Sequence, residues 1–519
     1  MRKTRQLALA ISVKPHLRDH RFEEKAVLPA VEIMRLLADA VANSYPEAQV
    51  NQITRARFSR FLMLPTESRP IEAAAIISTG KHNDIHASLV TQLSSRKTTI
   101  KRTLRHAELC FSSDIAAAPL PLDVASSLEG PCADIDACRV YPDLISFGPA
   151  FQNLRNRLYL SQDGVLARVA GSSREGVAPA SGTSVDSPLG AVFPLDAALQ
   201  AACVWGQRFA EVVAFPVGIE KRILWEPTVS GETYLARVVP HLTEPQVLYF
   251  DIWIYDEAAR LREAALGVQM QDVSRGRLRP PAWIVASKPG RGLNRLEENC
   301  AALSLMERTA VMPMAEEALS PAEKQRMAEM GGRRKGSYLA ARMVCKRLYR
   351  TLAGDNLQTP AGAINTIETD MQRPCCPTTG DGRPYACSVS HDNRFVVAAA
   401  SRQPLGLDVE MVSDRVLKSG DLFMGPGELA LLKRSGLDLP QAATRVWSIK
   451  EAVAKAMGIA LADAWQRARV LEINEYRSSV QIDRGTVHKV WHDCIGEHVF
   501  TLVKLDTPAK RTLGPKSSP

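Results

Sequence analysis

The sequence predicts an α+β protein of several folding units, and three observations carry that expectation. Its 519 residues exceed what one core accommodates, since domains run to about 100–200 residues each. Two long apolar helical stretches, 30–44 and 194–212, each stand among strand-like runs. Beyond residue 300, helix, hairpin and strand alternate.

Hydrophobic residues make up 45% and charged residues 23%, a balance that excludes wholesale disorder or a disulfide-dense scaffold. No apolar run reaches about 18 residues, so no membrane partner is expected. Lys and Arg number 65 against 56 Asp and Glu, a net charge of +9. That suits an acidic partner or a phosphate ligand, but no dense basic run points to nucleic acid. Ten cysteines are scattered without any C-x-x-C; zinc is not expected, and the pattern reads as reduced thiols of a cytoplasmic protein. Arg2–Arg5 before Leu7–Val13 resembles the start of an export signal. No small-residue cleavage site follows, and a first strand is the better reading.

Within 30–44, Val31, Met34, Leu37, Ala38 and Val41 share one helical face. Strand-like runs cover Arg155–Arg168, Thr233–Val239 and Val247–Tyr255. Loop-like stretches fall at 112–137, 171–190 and 274–298, and the tail from Asp506 on reads as frayed.

The C-terminal part carries the densest chemistry. Tyr385–His391 and Arg394–Ser401 read as strands joined by an Asp392-Asn393 turn. Gly406-Leu407-Asp408-Val409-Glu410 follows, with Asp408 and Glu410 on one strand face because side chains two apart point the same way. Two such carboxylates raise each other's pKa unless a cation lies between them, and a hard dication fits. Trp447 to Gly458 reads as a helix whose Glu451 and Lys455 share a face, with Gly458 as its stop.

G-x-D-x-E followed by W-S-x-K-E-A-x-x-K-A-x-G resembles the 4′-phosphopantetheinyl transferases of the long, surfactin-synthetase-activating type. Leu319-Ser320-Pro321-Ala322-Glu323, Ala341-Arg342 and the G-R-P and S-V-S-H segments support this over roughly 300–510. The resemblance implies two pseudo-symmetric halves with coenzyme A bound between them. Asp408, Glu410 and Glu451 would hold Mg²⁺ or Mn²⁺. Glu451 would take the proton from a carrier serine, and Lys455 would neutralise phosphate charge. His391, Arg383 and Arg342 would lie near the nucleotide.

The N-terminal part contains His20, then Phe147-Gly148-Pro149-Ala150-Phe151-Gln152, then Phe193-Pro194-Leu195-Asp196-Ala197-Ala198-Leu199-Gln200. This order resembles the dehydratase domain of polyketide synthases, a double hotdog fold, over about 8–280. The resemblance implies His20 as the base, Asp196 as the acid and Gln200 as its orienter. Three positions depart from the family pattern: Glu24 replaces a glycine, Phe147 a tyrosine, and Phe193 a frequent histidine.

The expected organisation is 1–115 and 135–280 as two hotdog units, 281–299 as linker and 300–510 as the transferase. The expected function is transfer of 4′-phosphopantetheine from coenzyme A to an apo acyl carrier protein. An attached dehydratase would act on β-hydroxyacyl thioesters held by carriers of a polyketide or fatty acid synthase. The alternative makes the N-terminal half a non-catalytic carrier-docking or product-template-like module.

Overall fold

The computed structural model describes the chain apart from residues 1–3, 68, 81–83, 95–100, 114–116, 173–186, 242–246, 286–291, 368–373, 375–383 and 507–519. Most of the 171–190 loop, nearly all of the tail, and Arg383 therefore lie outside the described residues. The chain divides into two units. One comprises 1–120 and 132–287, the other 121–131 and 288–519.

In the first unit, twelve strands form one antiparallel sheet. Its first half contains β1 (Thr4–Ile11), β4 (Gln52–Phe58), β5 (Ile71–Thr79), β6 (Ile85–Ser94) and β7 (Lys101–Phe111); the short hairpin β2 (Arg21–Phe22) and β3 (Lys25–Ala26) stands apart. The second half contains β8 (Ala133–Asp136), β9 (Leu154–Ser161), β10 (Gly164–Ala170), β11 (Phe215–Leu224), β12 (Thr233–Pro240), β13 (Val247–Tyr255) and β14 (Leu261–Gln271). The order is β1-β5-β6-β7-β4-β11-β14-β13-β12-β10-β9-β8. The halves join where β4 pairs with β11, Arg57 opposite Gly218.

Each half wraps one long helix. In Ala30–Ser44 the predicted face of Val31, Met34, Leu37, Ala38 and Val41 is completely buried. The helix Phe193–Trp205 is buried on every side, as expected where apolar residues run all round a helix. The Arg155–Arg168 run is a hairpin rather than one strand. The chain turns at Gln162-Asp163, and Gly164 has a φ of +129° that disfavours any side chain.

The second unit holds two sheets. β15 (Ala302–Glu307), β17 (Phe395–Ser401) and β16 (Ala386–His391) lie in that order against the helix Gly332–Ala353. β18 (Leu405–Met411), β22 (His498–Lys504), β21 (Val487–Ile495), β20 (Arg477–Ile482) and β19 (Ala468–Ile473) form the other, packed on the helix Leu439–Met457. The L-S-P-A-E segment starts a helix: Ser320 caps it by accepting from the Glu323 amide, and Glu323 accepts from the Ser320 amide. Residues 121–131, which no predicted domain included, belong to this unit. Asp123 there is fully buried and accepts two hydrogen bonds from Arg350, at 2.7 and 2.8 Å. Residues Asn294–Glu298 of the expected linker form a short helix whose first amides reach Asp493. Cys387 is disulfide-bonded, which corrects the expectation of reduced thiols; the seven other cysteines among the described residues are free.

Candidate functional sites

In the C-terminal unit, β18 sends Leu407 and Val409 into the core and turns Asp408 and Glu410 to the opposite face. Gly406 is required there by contact. A Cβ would stand 1.7 Å from the carbonyl oxygen of Ala452, so only glycine lets the Leu439–Met457 helix lie this close. That approach puts Glu451 and Lys455 beside the strand carboxylates. Lys455 donates to Asp408 Oδ1 at 2.8 Å, to Ser390 Oγ at 2.8 Å and to the Leu407 carbonyl at 3.1 Å. Ser390 also donates to Asp408 Oδ1 at 2.9 Å. Trp447 Nε1 donates to Glu410 Oε1 at 3.0 Å.

Burial raises the Glu410 pKa to about 7, and the Asp408 and Glu451 charges push the same way. Glu451 is raised by burial and then by Asp408. Asp408 Oδ2 is buried without a partner. An orphaned carboxylate oxygen beside two repelled carboxylates is a donor set that fits a hard dication. Among the described residues no group of three or more His, Cys, Asp or Glu side chains is drawn together closely enough to hold a metal ion; the cation in contact with Asp408 is Lys455.

The other predicted residues belong to the same unit. His391 is exposed at the end of β16. The protein around its imidazole holds its pKa below the usual histidine range, with help from the nearby Arg308 and Lys455 charges. Arg342 is buried and donates to the Thr366 carbonyl and hydroxyl at 2.8 and 3.0 Å. Its Nη1 is thus engaged inside the unit. Lys450, the first lysine of W-S-x-K-E, is a buried structural cation held by Glu428 at 2.9 Å. Sequence reading missed Ser390 as a site residue, although its S-V-S-H setting was the available signal.

In the N-terminal unit, His20 Nε2 lies 3.8 Å from Asp196 Oδ1, though 176 positions separate the residues. His20 ends a short 3₁₀ turn, Pro15–Asp19. Asp196 lies in the first turn of Phe193–Trp205. Gln200, one turn on, donates to Asp196 Oδ2 at 2.7 Å and to the Phe151 carbonyl at 2.9 Å. Tyr141 donates to Gln200 Oε1 and fixes the amide. Because Oδ2 is already an acceptor, the proton of a neutral Asp196 belongs on Oδ1, the oxygen nearest His20.

Burial sets both titrations. It lowers the His20 pKa to about 3, opposed by the Val27 backbone. It raises Asp196 to about 7, opposed by Gln200 and aided by Glu32. The rings of Phe147 and Phe151 pack on the imidazole, at centroid distances of 4.3 and 5.2 Å. Gly148 is needed for close approach, since a Cβ would meet Asp19 Cγ at 2.4 Å. Asp19 also accepts from the Ala150 amide at 2.9 Å, tying the two loops together. Neither Asp19 nor Tyr141 was singled out from sequence.

The dyad opens into a cavity of about 870 Å³, lined among others by Phe22, Phe58, Leu199, Gln200 and Met270. Glu24 lies on its rim, is exposed and has a φ of +62°. It therefore keeps the left-handed conformation that glycine favours while its side chain points to solvent.

Two stretches of the chain match known families. Residues 404–503 match the model of the 4′-phosphopantetheinyl transferase superfamily. Residues 139–280 match that of the polyketide synthase dehydratase N-terminal domain. A stretch of 130 residues is 28% identical to 4′-phosphopantetheinyl transferase Sfp of Bacillus subtilis (strain 168), covering 22% of this chain and 57% of that protein, less than two thirds of its length. Among solved structures, the chain is similar to the dehydratase domain of a mycocerosic acid synthase-like polyketide synthase (18% identity, TM-score 0.42). It is also similar to the dehydratase domain from the CurJ module of curacin polyketide synthase (17%, 0.41). Each similarity covers 52% of this chain and 91% of the other. The chain is thus similar to the polyketide synthase dehydratase N-terminal domain over residues 139–280 and to the 4′-phosphopantetheinyl transferase superfamily over residues 404–503.

Proposed function

We propose that the protein transfers 4′-phosphopantetheine from coenzyme A to a serine of an apo acyl carrier protein, and that its N-terminal unit dehydrates β-hydroxyacyl thioesters. The transfer reading rests on the orphaned Asp408 oxygen beside Glu410, Glu451 and Lys455. Asp408, Glu410 and Glu451 would hold Mg²⁺ or Mn²⁺. When bound, the cation would screen the charges of the pyrophosphate. Glu451, with its raised pKa, would accept the serine proton as the hydroxyl oxygen attacks the β-phosphate. The phosphoanhydride bond breaks and 3′,5′-ADP leaves. Lys455 would steady the charge on the phosphates. His391, Arg383 and Arg342 are proposed on the nucleotide side, with Arg342 held by Thr366.

The dehydration reading rests on the meeting of His20 and Asp196 at one cavity. Their pKa values are pushed apart in the sense that assigns roles. Neutral His20 takes the α-proton on Nε2. Asp196 gives its Oδ1 proton to the β-hydroxyl as the C–O bond breaks and water leaves. The resulting carboxylate then faces the imidazolium at 3.8 Å and takes the proton back. A docking module would need neither this pair nor its orientation by Gln200 and Tyr141.

Incubating apo-carrier with coenzyme A, Mg²⁺ and this protein, then weighing the carrier intact, tests the first activity. Loss of water from a β-hydroxyacyl carrier tests the second.

A further inference from the structure

The N-terminal cavity holds a second polar group that the dyad does not use. Thr91 on β6 and His106 on β7 both line it. β6 and β7 pair Leu89 with Ala107 and Val90 with Arg105, so His106 is the extra residue of a β-bulge. Bulges re-aim side chains and gather near functional sites. The bulge is pinned by the residues just after β4, where the Ser59 and Arg60 amides donate to the His106 carbonyl at 3.0 and 3.4 Å.

The hydrogen bonds then fix every proton. His106 Nδ1 lies 3.3 Å from the Arg60 carbonyl, which can only accept, so Nδ1 carries hydrogen. Nε2 of the neutral ring is an acceptor. It lies 2.9 Å from Thr91 Oγ1, so the threonine hydroxyl donates to it. His106 is only 3% exposed, and burial holds its pKa below the usual histidine range. With its hydrogen committed, Thr91 Oγ1 can offer the cavity only lone pairs. It is built to accept from a donor.

We propose that Thr91 grips the pantetheine arm of the substrate by accepting one of its amide N–H groups, with His106 and the Arg60 carbonyl holding it in that orientation. This rests on the dehydratase reading above. A β-hydroxyacyl pantetheine thioester carries few donors: the β-hydroxyl, the two amide N–H groups and the hydroxyl groups at the pantoyl end of the arm. The β-hydroxyl belongs to Asp196; the pantoyl hydroxyls can pair as donor or acceptor, whereas an amide N–H can only donate and needs an acceptor such as Thr91 Oγ1. Thr91 is a positioning residue in this account, not a catalytic one.

The test is binding by the full-length protein, measured by calorimetry with octanoyl-pantetheine, which has no β-hydroxyl to lose. Thr91→Val should weaken binding about 3- to 10-fold, the size of one hydrogen bond. Thr91→Ser should restore it. S-propyl thiooctanoate, which lacks both amides, should bind the wild type and Thr91→Val equally. Thermal melting of Thr91→Val checks that the fold is retained. Three outcomes overturn the proposal: no loss of octanoyl-pantetheine affinity in Thr91→Val, an equal loss for the amide-free thioester, or no octanoyl-pantetheine binding by the wild type. If the binding pattern holds while β-hydroxyoctanoyl-pantetheine loses no water, the dehydratase reading falls and the grip stands.

Discussion

Asp196 shows what a buried carboxylate costs its fold. Its folded pKa of about 7 exceeds the ordinary aspartate value of 3.8. The folded state therefore holds a proton that the unfolded chain releases between about pH 4 and 7. Stability falls as pH rises through that window, and the penalty is complete above about 7. Asp196→Asn should accordingly raise the melting temperature at pH 8 and leave it nearly unchanged at pH 4, while abolishing dehydration. A lower melting temperature at pH 8 would contradict the burial argument. The same titration gives dehydration a basic limb near pH 7 in its rate profile, because the acid form is lost there. In the other unit, Asp408→Ala or Glu451→Ala should reduce phosphopantetheine transfer at least about 100-fold, as removal of a metal ligand or base does. Rates within a few fold of wild type would remove those roles. Asp408 with Glu410, and Glu451 with Lys455, were legible as shared faces because spacing along a strand or helix fixes them; Asp196 and His20 were legible only through the order of motifs that carries the family resemblance. Ser390, Tyr141, Asp19 and Thr91 were not. Each acts through a partner on another element, 15 to 131 positions away, and no helical or strand period encodes that.

At the scale of elements, the helices and hairpins were readable where one face is apolar and the turn residues agree. Ala30–Ser44, the 386–401 hairpin and the helix ending at Gly458 are examples; Gly458 takes a φ of +67° at the stop. Residues 121–131 were not readable. Their composition is that of a loop, and the tie that holds them, Asp123 to Arg350, spans 227 positions. Removing one partner of a buried ion pair strands the other charge and costs about 3–5 kcal/mol. Arg350 keeps Asp355 and the Thr359 carbonyl, so Asp123→Ala should lie at the low end, near 3 kcal/mol. Urea denaturation of the full chain, followed by the fluorescence of a C-terminal tryptophan such as Trp447, measures it. An unchanged midpoint would show that the segment contributes nothing to the second unit. Gly406→Ala is the sharper probe of the strand–helix contact. Its Cβ would collide with main chain rather than with a movable side chain, so loss of both folding and transfer is expected.

Across the whole molecule, the two units bear on one chemical object. The C-terminal site would install the phosphopantetheine arm on a carrier, and the N-terminal cavity would receive an acyl chain carried on such an arm. The division of labour was visible in sequence because each site leaves an ordered set of motifs. The volume and polarity of the cavity were not, since they arise from strands that meet only in the folded sheet. The central claim is the transfer. Its most direct measurement is the intact mass of an apo acyl carrier protein after incubation with this protein, coenzyme A and Mg²⁺. The account predicts a gain of one phosphopantetheine group on a single serine, abolished by chelator and by Glu451→Ala. An unchanged carrier mass, where a separate transferase modifies the same carrier, would contradict it, as would full modification in chelator.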